Sequence, residues 1–215
     1  MLGRIHRRQR GDTLIEVLFA VTVFSLVAVG SLAIMNQGIA TSQRALEITI
    51  VRQEIDAQSQ ALRFMNSAYV ASYQTNQTQY PAGPAQEWAT MLASITSTPV
   101  QIPTEFSNVT VCPTPPSGSF IINAHGAKFV SAIGNVLQPA VTYAQVNYQT
   151  DSNGISSVTS AQGIWIEAIP SAVSGDKNQA SAGYIDFHIL ACWDGPGNGP
   201  PVTIGTIVRL YEPRG

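Results

Sequence analysis

The chain has 215 residues, of which 11% are charged and 45% hydrophobic, with a formal net charge of −2. That length accommodates one long helix and one domain of ordinary size, and excludes two large cores. Four of the eleven basic residues are Arg4, Arg7, Arg8 and Arg10; without them seven basic side chains face thirteen acidic ones, a balance that disfavours general nucleic-acid binding.

Residues 1–11 form a basic leader without an acid, and residues 12–35 follow as the one stretch long and apolar enough to span a bilayer. No charged side chain occurs between Val17 and Gln43. As a helix, Val17 to Met35 covers about 28 Å, close to a hydrocarbon core. Basic residues ahead of an apolar run place the start of the chain in the cytoplasm and its bulk outside. Glu16 stands just inside this run, where a carboxylate costs about 2.5–3.5 kcal/mol unless it finds a partner or reaches the interface. A secretory signal cut near Ser31-Leu32-Ala33 and a plain signal anchor both fit the hydropathy. Neither gives a reason for Glu16.

A third reading does. Gly11-Asp12-Thr13-Leu14-Ile15-Glu16-Val17-Leu18 resembles the leader junction of type IV pilins and type II secretion pseudopilins, in which a short basic leader ends in Gly and a Thr-Leu-(Ile/Leu)-Glu-Val-Leu run follows. The resemblance covers roughly residues 3–45. It implies cleavage by a prepilin peptidase between Gly11 and Asp12 and methylation of the new amine on Asp12. It also implies subunit assembly through Asp12, Thr13, Leu14, Ile15 and Glu16, with the Glu16 carboxylate paired to the Asp12 amine of a neighbour. The family usually has Phe at the first mature position. Here Asp12 brings a second acid beside that amine, able either to compete for it or to cap the helix start. No proline occurs between Asp12 and Tyr80, which is more like minor pilins and pseudopilins than many major pilins. Gly30 beside Ser31 is the expected weak point of the helix.

Residues 36–72 turn polar yet keep a helical period. Ile48, Val51, Ile55, Leu62, Met65 and Tyr69 make an apolar stripe interrupted by Gln58, so the membrane helix is expected to continue as an amphipathic half, in a lollipop-like plan. Residues 73–104 have loop composition around a short helix over Glu87 to Ile95. Asn76-Gln77-Thr78 and Asn108-Val109-Thr110 match the glycosylation triplet, a pattern common by chance.

Over residues 105–215 the period shifts towards two. Strands are predicted over 106–112, 119–123, 127–131, 141–149, 157–160, 163–169, 183–193 and 202–211. Asp151-Ser152-Asn153-Gly154 reads as a hairpin turn, and 183–193 is expected to pair antiparallel with 202–211. The face of 183–193 that carries Leu190 and Cys192 is mixed, predicting partial cover. Cys112 and Cys192 lie beyond the membrane segment, where export would let them form a disulfide that contributes roughly 4–5 kcal/mol; the alternative is two buried thiols. Residues 194–201 are rich in Asp, Asn and Gly but place Pro196 and Gly205 where calcium ligands belong, so they read as a surface turn and no metal site is expected. By analogy with pilins, residues 170–205 are expected to contact neighbours or surfaces. His188 and Cys192 are four apart on a strand, roughly 13 Å, too far for a nucleophile and its base.

The sequence therefore predicts an α+β protein: a long N-terminal helix, membrane half plus amphipathic half, packed on an antiparallel β-rich head in a pilin-like plan. No catalytic residue and no cofactor is expected. The expected partners are a prepilin peptidase, the cytoplasmic membrane, identical or related pilin subunits and a pilus assembly platform. The expected location is the cytoplasmic membrane before assembly and an extracellular pilus or pseudopilus after it. The alternatives are a pseudopilin, a minor or tip pilin, or a signal-anchored adhesin that does not polymerise.

Overall fold

The computed structural model describes residues 14–74, 79–100, 102–107, 109–132, 134–171, 183–196 and 199–213. The leader, Gly11, Asp12, Thr13, the triplet at 76–78 and Asn108 lie outside the described residues. The chain divides into two compact units, Met1–Gln43 and Arg44–Gly215. Helix α1, Leu14–Ser72, runs for 59 residues. Gly30 and Gly38, both in open space, do not interrupt it.

In the second unit α1 buries Val51, Ile55, Gln58, Ala61, Leu62, Met65 and Tyr69, the stripe expected from the sequence. Each large apolar side chain removed from water there is worth about 1.5–3 kcal/mol. Helix α2, Pro84–Ser97, adds Trp88, Met91 and Ile95. It begins three residues before the predicted start because Pro84 occupies its first turn, where a missing N–H costs nothing, after Gly83 at φ 112°.

Eight strands follow: β1 Phe120–Asn123, β2 Lys128–Ser131, β3 Leu137–Gln138, β4 Gln145–Thr150, β5 Ser156–Gln162, β6 Ile164–Pro170, β7 Tyr184–Trp193 and β8 Val202–Tyr211. One sheet has the order β2-β1-β6-β7-β8 and is antiparallel throughout. The other has the order β3-β5-β4, with β4 and β5 antiparallel about the Asp151–Gly154 turn. Asp151 Oδ1 accepts the N–H groups of Asn153 (2.9 Å) and Ile155 (2.8 Å), which closes that turn. The inner residues of β7, Phe187, Ile189 and Trp193, join the helices in one core with Phe120, Ile122 and Ile166.

Two expectations are corrected and one strand is added. Residues 106–112 form no strand among the described positions. They cross the outer face of the large sheet, where Phe106 and Cys112 cover Trp165, Leu190 and Cys192 in a second small core. That cover is why the mixed face of β7 is buried at Leu190 and Cys192 but half-exposed at Tyr184, Asp186 and His188. Strand β4 starts at Gln145 instead of Val141, because the chain must first pass from β3 on one side of β5 to β4 on the other. Strand β3, two residues long and parallel to β5, went unpredicted.

Gln58 explains its own place in an apolar stripe. Strand β1 meets β6 only at Phe120↔Ile166, so the N–H of Ile122 points away from the ladder. Gln58 Oε1 accepts it at 3.0 Å, while Gln58 Nε2 donates to Glu54 Oε1 at 3.0 Å. The side chain is wholly buried. Gln58→Leu keeps the volume and leaves that buried N–H without an acceptor, so a loss of about 1–3 kcal/mol is expected, read from chemical denaturation of the full chain in detergent.

The two edges of the large sheet differ. Strand β2 is four residues long, and its Phe129 N–H donates to Glu87 Oε2 of α2 (3.1 Å). Strand β8 is ten residues long and pairs with β7 over its whole length without a bulge.

Candidate assembly site

From Val17 to Met35, α1 is apolar on every side. Leu14, Ile15, Phe19, Phe24, Leu26 and Ile34 are each at least 70% exposed. A window of 18 residues in this helix has a mean hydropathy of 2.5 and none of it is buried by the rest of the chain. The hydroxyls of this segment do not spoil that surface. Thr22 Oγ1 donates to Phe19 O, Ser25 Oγ to Val21 O and Ser31 Oγ to Val27 O, each at 2.8 Å. Such back-bonds satisfy polar groups inside the helix and leave its outside fit for lipid or for other apolar helices.

Glu16 lies in the first turn of α1 and is exposed, as are Leu14 and Ile15. The first turn offers unpaired N–H groups and the positive end of the helix dipole, which suit a carboxylate. Glu16 is followed by no other charged side chain before Arg44. Of the residues expected to act in assembly, the structure brings Leu14, Ile15 and Glu16 into one turn; Asp12 and Thr13 lie outside the described residues.

The second unit places its ionisable groups in structural roles. Cys112 and Cys192 are bonded, with Cα atoms 5.6 Å apart, and tie the crossing segment to β7. The Glu167 carboxylate is fully buried; it accepts Trp165 Nε1–H at 2.7 Å and the Thr104 N–H at 2.8 Å. Glu47 Oε2 accepts Trp193 Nε1–H at 3.0 Å, fixing α1 to the end of β7. Sequence reasoning singled out neither acid: Thr104 is 63 residues from Glu167 and Trp193 is 146 from Glu47, and the near partner Trp165, two residues along β6, gives no signal by itself. The His125 ring stacks on Tyr148 at 4.0 Å, with Nδ1 3.1 Å from Ser156 Oγ. Burial, with the Glu54 carboxylate beside it, pushes the Tyr148 phenol up to about 12. Among the described residues no three His, Cys, Asp or Glu side chains converge as a metal site would need. Beside the β7–β8 connection lies the Arg44 guanidinium, 3.8 Å from where a side chain on Gly195 would start and 3.6 Å from one on Gly199. A cation already sits against that turn.

On the outer face of β7 and β8, Arg209 makes a two-pronged contact with Asp186, 2.7 Å at each nitrogen, and lies 3.9 Å over the Tyr184 ring. The Arg209 hydrogen bonds hold the Asp186 carboxyl below its ordinary value. A carboxylate depressed in the folded state adds stability above its unfolded pKa, and that stability is lost as pH falls through the folded value. The melting temperature of wild type over Asp186→Asn should therefore show a small excess at neutral pH that disappears below about pH 4.

Comparison with known proteins agrees with the first unit. The family model described as the prokaryotic N-terminal methylation motif matches residues 6–32, the signature with which type IV prepilins and pseudopilins begin. No curated protein and no solved structure matches the chain.

Proposed function

Starting from a chain that carries the prepilin signature, we propose that it is a structural subunit of a type IV pilus-like filament. It is made as a membrane precursor, cut by a prepilin peptidase between Gly11 and Asp12, methylated on the Asp12 amine, and polymerised through α1. The observation that carries this reading is Glu16 in the first turn of a helix that is apolar on all sides and uncovered by its own chain. Lipid satisfies the apolar surface but not the acid. A bundle of such helices satisfies both, because cleavage creates an amine four residues before each Glu16 in the sequence. The disulfide-bonded unit 44–215 then travels as the cargo that each subunit displays. The cytoplasmic membrane holds the precursor, and an assembly platform passes it to identical or related subunits.

A pseudopilin or a minor subunit is the second reading, favoured by the absence of proline from Asp12 to Tyr80. Fibres sheared from the cell surface and containing this chain as the main component support the pilus subunit.

Mass spectrometry of the mature amino terminus tests the proposal. A methylated or free Asp12 terminus is expected. A terminus near Ile34 would mean secretion and an intact Met1 would mean a permanent anchor; either overturns the reading.

A further inference from the structure

Beside the disulfide lies a cavity of about 340 Å³. Residues 112–117 and 137–140 line it, together with Gly163, Trp165 and Cys192. Both stretches are fixed. Cys112 is bonded to Cys192, Ser119 N–H donates to Pro116 O at 3.1 Å, and Pro113, Pro115 and Pro116 have preset φ. Ala161 N–H donates to Val136 O and Gly163 N–H to Gln138 O, each at 2.7 Å. The cavity is therefore preformed, and a ligand entering it does not have to order its lining. None of the lining side chains ionises, because the two cysteines are bonded. Trp165 is buried and its Nε1–H is spent on Glu167, so its ring brings carbon surface alone. Pro113, Pro115, Pro116 and Pro139 offer carbonyls and no N–H. Apolar surface of this kind holds water poorly.

We propose that this cavity binds a small, uncharged, ring-bearing organic molecule with an apolar body and a hydrogen-bond donor at its edge. Its volume is at the small end of the ~300–1,000 Å³ range of ligand pockets. The apolar lining selects the body, since carbon surface displaces water that was loosely held. A flat ring suits the pyrrolidine and indole surfaces it would meet. Charge is selected against, because an ion would give up its hydration and find no counter-charge. The prolines select the donor: a ligand N–H or O–H finds more partners along them than a ligand carbonyl does. The occupant is a free small molecule and not the side chain of a protein partner. The exposed members of the lining are Thr114, Ser117, Ala132, Asn135, Gln138 and Pro139. None is a Tyr, Trp, Arg or Met, the residues with which protein surfaces anchor one another. This site does not rest on the filament reading.

Full-length chain in detergent, isotope-labelled at its tryptophan indoles and followed by nuclear magnetic resonance, tests the proposal with free indole as the probe. Three indole N–H signals are expected, from Trp88, Trp165 and Trp193, and Trp165→Phe identifies its own by loss. Added indole should shift the Trp165 signal saturably and leave the other two in place, since Trp88 and Trp193 belong to the main core and do not line the cavity. An indole carrying a carboxylate should bind at least about tenfold more weakly. Ala132→Phe and Ser117→Phe, at exposed positions on the cavity, should each weaken indole binding while the Trp88 and Trp193 signals stay as in wild type. No saturable shift at Trp165, equal shifts at all three tryptophans, equal binding of the carboxylate, or undiminished binding in both phenylalanine variants each overturns the proposal.

Discussion

A Gly163→Val chain is expected to lose the folded form of its second unit. Gly163 is the single residue between β5 of the small sheet and β6 of the large one, and at φ 63° it turns the chain from one sheet into the other. A side chain there would start 2.5 Å from the carbonyl oxygen of Cys192 and 2.7 Å from Ala140 Cβ. Neither neighbour can retreat. Gly163 N–H donates to Gln138 O at 2.7 Å and Cys192 N–H donates to Gly163 O at 2.8 Å, so the backbone is held from both sides. The left-handed conformation alone costs a branched residue about 1–2 kcal/mol, and with the overlap the total should exceed about 4 kcal/mol. Chemical denaturation in detergent, followed through the tryptophans, measures it. Gly154→Ala is the matched control: φ is 78° there too, but nothing stands within 4 Å. Its cost should be the conformational part alone, about 1 kcal/mol.

Glu16→Ala should leave processing and membrane insertion intact and abolish filaments. Removing the carboxylate makes the helix a better lipid-spanning segment by about 2.5–3.5 kcal/mol. In the proposed filament the same change deletes the acceptor for the amine of a neighbouring subunit, so a more comfortable membrane protein becomes a worse filament subunit. Immunoblots of membrane and sheared fractions read both effects together. Mature protein in the membrane with an empty sheared fraction is the expected result. Wild-type amounts of fibre would remove the role given to Glu16.

The parts of this molecule that could be read in its sequence are those specified by near neighbours. The apolar run, the stripe from Val51 to Tyr69, the Asp151–Gly154 turn and the pairing of β7 with β8 depend on spacing within one element or across one turn. Leu14 and Ile15 are singled out by the resemblance of residues 11–18 to the prepilin junction, and Glu16 also by being an acid at the start of an uncharged run. What escaped depends on distant partners. Gln58 looked like a flaw in the stripe because its acceptor role is set by a break between β1 and β6, 64 residues away. Residues 106–112 have the β-branched and aromatic composition of a strand, but Phe106 and Cys112 serve to roof Trp165 and Cys192 instead. Gly163 carried no more sign of its role than any other glycine, because the atoms it must avoid come from β7 and from the crossover before β4.

The bond between Cys112 and Cys192 spans 80 positions and encloses β1 to β7. Helix α1 enters this enclosure from one side and β8 leaves it from the other. A protease that cuts the chain once anywhere between the two cysteines therefore releases nothing: both halves stay covalently joined, and the nick shows only after reduction. If the unit is displayed outside the cell, as proposed, damage of this kind need not mean loss from the surface.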